Sequence, residues 1–159
     1  MEAVTRHNFE HARGLVEELR RTNPEFEEEA VFISARAALY QHRFEEAAQL
    51  AEALPHGSEQ RRELEEEIAE LHGIQRRGME HFNLALSSAQ KGYWTDAEFH
   101  LDRALALIPH LPAPWRLAVK LALRQERWEL AKERAQKGLQ AAPEDAYLHR
   151  MADELAELV

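Results

Sequence analysis

The feature that most constrains this chain is a short pattern that returns along it: an aromatic residue, any two residues, then alanine. It occurs at Phe9 and Ala12, Phe44 and Ala47, Trp94 and Ala97, and Trp128 and Ala131. The last two copies lie 34 residues apart. Three of the four alanines are followed 12 residues later by a proline: Pro24, Pro109 and Pro143. A period of this length marks a chain built from one supersecondary unit stacked on copies of itself.

The residue types indicate the unit. Ala, Leu, Glu and Arg dominate, and these are strong helix formers. A small residue beside a bulky one lets two helices approach closely, with the aromatic filling the gap next to the alanine. Proline ends the second helix of each pair, because it lacks an N–H and disfavours helix in the residue before it. Gly92 supplies the turn between the two helices. Thr95 with Glu98 reads as a capping box at the start of the second helix.

With these residues in phase over 78–111 and 112–145, the chain resembles the tetratricopeptide repeat (TPR) family. The match is carried by Leu84, Ala85, Gly92, Trp94, Ala97, Leu101, Ala104 and Pro109 in one unit. In the next it is carried by Trp115, Trp128, Ala131, Gly138 and Pro143. The resemblance implies an all-α, TPR-type α-solenoid of antiparallel helix pairs that recognises another protein.

The rest of the chain is less regular. Residues 8–24 supply a partial repeat with a second helix alone. A repeat follows at 28–54. From Ala47 to Ala97 is 50 residues, an excess of 16 over the period, and it falls at 58–73 behind Pro55-His56-Gly57. Leu64, Ile68 and Leu71 keep helical spacing there, with Glu65, Glu66, Glu67 and Glu70 between them. An extra helix is expected, either separate at Gly73 or fused to the helix running to Lys91. Residues 145–159 read as a C-terminal capping helix, with Leu148, Met151, Leu155 and Leu158 on one face. The whole, 1–159, reads as a single domain.

Charge narrows the partner. The net charge is −9, which argues against nucleic acid, yet residues 113–140 hold seven basic and three acidic side chains. No cysteine is present, so disulfides and thiolate metal sites are excluded. No apolar run approaches the length of a membrane span, and no secretory segment is read at the N-terminus. A cytoplasmic location, no cofactor and no bound metal are expected.

The resemblance also implies which residues line the concave groove. They are Met79, Phe82, Leu86, Ala89 and Gln90 in one unit, then Ala113, Arg116, Lys120, Leu123 and Arg124 in the next. Arg116, Lys120 and Arg124 stack on one helix side, where like charges repel unless a negative partner docks. Beside them Met79, Phe82 and Leu86 form an apolar strip. Asn83 stands where some family members clamp a terminal carboxylate, with Arg116 and Lys120 at matching positions, although the rest of that clamp does not match. A protein or peptide partner carrying acidic or carboxylate groups is expected.

Competing readings attach to the same residues. The apolar strip is core if the 58–73 helix covers it, and the basic ladder is structural if it pairs internally. An unpaired helix at 8–22 leaves Leu15, Val16 and Leu19 needing cover, which suits a homodimer. His7, Glu10 and His11 match H-x-x-E-H, the basis of a remote metal-dependent hydrolase reading.

Overall fold

The computed structural model describes residues 13–18 and 26–158; no strand occurs among them. After a helical stretch at 13–18 come α1 (Glu27–Tyr40), α2 (Phe44–Glu52), α3 (Glu59–Gln90), α4 (Trp94–Leu107), α5 (Pro112–Arg124), α6 (Trp128–Ala141) and α7 (Ala146–Leu158). The chain divides into two compact units, one up to His72 and one from Gly73. The fused alternative for the extra helix is the one adopted. The stretch expected near 58–73 is the first half of α3, begun by Ser58, whose hydroxyl accepts the Arg61 amide at 3.2 Å.

In the first unit, Val31 and Ala35 of α1 share a cluster with Ala51 and Leu54, while Ala38 and Leu39 share one with Ala47. Residue numbers rise along one helix as they fall along the other, so α1 and α2 are antiparallel. Leu64 is fully buried in the first cluster, and Ile68 and Leu71 pack on the second. Their spacing therefore does mark the packed face of α3. Of the intervening acids, Glu67 approaches Arg36 at 3.7 Å and Glu65 pairs with Arg61. Val16 is buried and Arg13 bonds Glu46 at 3.0 Å, so the stretch at 13–18 has cover for Val16 although Leu15 stays exposed. Leu19, Phe9, Ala12 and Pro24 lie outside the described residues.

The second unit repeats the arrangement. Val119, Ala135 and Leu148 form one cluster and Ala122, Ala131 and Leu155 another, so α5, α6 and α7 alternate in direction. Gly138 allows the close approach. A Cβ there would lie 2.9 Å from both a Leu148 methyl and the Trp115 Cβ.

The turns show why the pattern recurs. At each hairpin a helix ends in a Schellman motif, with a left-handed residue and an amide reaching back five residues. Arg43 donates to Ala38, Tyr93 to Ser88 and Arg127 to Ala122, all at 2.9 Å. The left-handed residue is His42 (φ 59°), Gly92 (79°) or Glu126 (57°). The same residues Arg43, Tyr93 and Arg127 then accept the amides of Ala47, Ala97 and Ala131. The invariant alanine thus sits in the first turn of the second helix, against the helix just completed. Between hairpins the contacts also repeat at 34. Ile108 donates to Ala104 and Ala142 to Gly138, both at 2.8 Å. Trp115 Nε1 donates to the Pro109 carbonyl at 2.8 Å, and a His149 ring nitrogen meets the Pro143 carbonyl.

Two expectations need correction. The Thr95–Glu98 capping box does not form, since α4 begins at Trp94 with no side-chain cap. Glu98 is drawn instead to Arg134, which bridges both its oxygens and the Ala118 carbonyl, while Gln125 donates to it at 3.0 Å. This pair is only 12% and 20% exposed, and a bidentate guanidinium outcompetes a local backbone amide. Removing one partner from such a buried pair costs about 3–5 kcal/mol when burial is complete. The second correction concerns Trp128. It does not fill an interhelical gap as Trp94 does but is 47% exposed.

A non-glycine residue in the left-handed region is strained by about 1 kcal/mol. Glu126→Gly is expected to raise unfolding free energy by about 1 kcal/mol, and Gly92→Ala to lower it by about 1 kcal/mol, in urea titrations. Identical midpoints in all three proteins would contradict the turn assignment.

Candidate functional site

The site is built where α3 ends, α4 begins and α5 crosses them. Helix α5 starts with Pro112 in its first turn, where a missing N–H is harmless, and buries Leu117, Ala118, Leu121 and Ala122 on one side. That leaves Lys120 and Arg124, one turn apart, exposed. The Schellman turn at Gly92 brings Gln90 and Lys91 towards them. Together with Trp94, Leu117 and Leu121 these residues line a pocket of about 530 Å³.

Its floor is apolar: Leu117 and Leu121 are buried in one cluster, and Trp94 packs against it. Its rim carries Lys91, Lys120 and Arg124, and no carboxylate lines it. None of these three cations has an ion-pair partner among the described residues. Lys120 is steadied otherwise, with its ammonium 5.2 Å from the Tyr147 ring centre, and Arg150 lies 5.6 Å from the same ring. A cation over an aromatic face is held by about 0.5–1 kcal/mol at an exposed site while keeping its charge. An apolar floor ringed by uncompensated cations suits a carboxylate-bearing ligand with an apolar body.

The expected site residues therefore separate. Gln90, Lys120 and Arg124 come together in the pocket. Arg116 does not join them, because its guanidinium donates to Asp145 Oδ2 through Nε at 2.8 Å and through Nη2. Asp145 is almost wholly buried, and its Oδ1 accepts the Leu148 amide at 3.0 Å, capping α7. Leu123 packs among Val119, Ala131 and Met151 between α5, α6 and α7. Phe82 packs on the Ala85–Leu117 cluster and Met79 is half-buried, while Asn83 and Leu86 are exposed.

Lys91, Trp94, Tyr147 and Arg150 were not among the expected site residues. A signal for two of them exists: Tyr147 and Arg150 lie 34 residues after Ala113 and Arg116. Reading 145–159 as a further first helix, rather than only as a cap, would have placed both on the groove.

No model of a known protein family and no curated protein matches the chain. Among the described residues no group of three or more histidines and carboxylates is placed to hold a metal, and no helix is long and apolar enough to cross a membrane. His7, Glu10 and His11 lie outside the described residues.

The Arg116 guanidinium, acting first through its hydrogen bond, holds the Asp145 carboxyl below its ordinary value of 3.8, against the opposing effect of burial. A depressed carboxyl pKa contributes stability that is present above the unfolded value and lost as pH falls through the folded one. Thermal stability is therefore expected to drop below pH 3.8. Asp145→Asn keeps a capping side chain but should lower the melting temperature at neutral pH and flatten that acid limb. An unchanged acid limb in the variant would remove Asp145 as its cause.

Proposed function

We propose that this chain is a TPR-type α-solenoid that works as a binding module rather than an enzyme. On this proposal it captures an acidic segment of a protein partner in the pocket between α3, α4 and α5. The family reading is supported by the recurrence of turn hydrogen bonds, left-handed residues and buried alanines at equivalent places, with a 34-residue period across the second unit. The units from α1 to α2, from the second half of α3 to α4, and from α5 to α6 are then three hairpins, with α7 closing the stack.

The observation that carries the binding reading is the pocket itself. Lys91, Lys120 and Arg124 surround an apolar floor without a carboxylate among its lining residues. Three uncompensated cations in one concavity raise the local concentration of anions and slow their departure. Such a field favours peptides rich in Asp and Glu and weakens as salt screens it over about 8–10 Å.

The test is fluorescence anisotropy with a labelled peptide containing an acidic run. Because both side chains are exposed, Lys120→Glu with Arg124→Glu should leave the circular dichroism spectrum intact. Affinity is expected to fall by at least about tenfold, and wild-type affinity to fall with added salt. Equal binding by wild type and the double variant would remove the pocket as the site.

A further inference from the structure

The cationic pocket has a counterpart one period on. Adding 34 to Gly92, Trp94 and Arg124 gives Glu126, Trp128 and Leu158, and these three line a second pocket of about 540 Å³ with Arg127, Glu129 and Leu130. Both pockets belong to the same compact unit, each at the turn of its hairpin. Their chemistry differs. Where the first pocket has Lys91, Lys120 and Arg124, the equivalent positions hold Gln125, Glu154 and Leu158. The second concavity offers an aromatic and a leucine, 47% and 75% exposed, with Glu126 and Glu129 at its edge. Large apolar side chains grouped in a concavity, rather than scattered, mark a place where something docks.

Spacing ties the two pockets to one ligand. Neighbouring helices pack about 8–10 Å apart, so equivalent points on successive hairpins are separated by roughly 10 Å. An extended peptide advances about 3.3 Å per residue and covers that distance in about three residues. The glutamates at the second pocket repel an acidic run, so the polarity of the pair is set: acid in the first, apolar in the second. We infer that the ligand is an extended peptide combining an acidic run, held by Lys91, Lys120 and Arg124, with a bulky apolar side chain about three residues away, seated on Trp128 and Leu158. This inference rests on the acidic-peptide reading above.

The experiment compares labelled peptides: an acidic run alone, and the same run with a leucine about three residues beyond either end. One of the two leucine peptides is expected to bind about tenfold tighter than the acidic run alone. Leu158→Glu should abolish that gain while leaving the affinity for the acidic run unchanged, and at this exposure it does not threaten the fold. A leucine that adds nothing while the acidic run still binds overturns the two-pocket ligand and leaves the acidic-peptide reading standing. Failure of every acidic peptide to bind overturns both. A dimer in light scattering that Leu158→Glu dissociates makes a second copy the occupant of the apolar pocket and also overturns the inference.

Discussion

Each hairpin depends on one contact: an alanine in the first turn of the second helix, pressed against the helix that precedes it. Ala47, Ala97 and Ala131 are all fully buried. A side chain with a single carbon lets the two backbones close to the distance at which the rest of each pair interdigitates. The Schellman turn delivers the chain to that contact, because the residue whose amide closes the turn is the one whose carbonyl accepts the alanine's amide. Turn chemistry and packing are therefore one device, used at Arg43, Tyr93 and Arg127.

The pocket follows from the same device. Ending α3 at Gln90 and starting α4 at Trp94 places two residue types side by side, the polar ones of the turn and the aromatic that begins the next helix. Helix α5 then lies across them with Leu117 and Leu121 inward and Lys120 and Arg124 outward. Because the turn repeats, the concavity repeats, and substitutions at equivalent positions give the second one a different chemistry. This is how a repeat scaffold varies what it recognises without altering how it folds.

Most of the helical layout was legible from the alanine and proline spacing, because these residues act locally and over one period. The packed face of α3 was legible from Leu64, Ile68 and Leu71. What the spacing did not carry was competition between partners. Thr95 and Glu98 have capping-box spacing, but Glu98 meets Arg134, 36 residues away in sequence and adjacent in space. Arg116, Lys120 and Arg124 look equivalent on a helical projection, yet Asp145 engages only the first. Leu123 falls on an expected groove position and is taken up by the core formed with α6 and α7. The left-handed conformations of His42 and Glu126 were invisible because only Gly92 advertises such a turn by its residue type.

The most direct measurement of the central claim is urea unfolding of Ala131→Leu. If the buried alanine sets the distance between α5 and α6, the larger side chain has no space and lowers the unfolding free energy by about 1–3 kcal/mol. An unfolding curve superimposable on that of the unsubstituted protein would contradict the account.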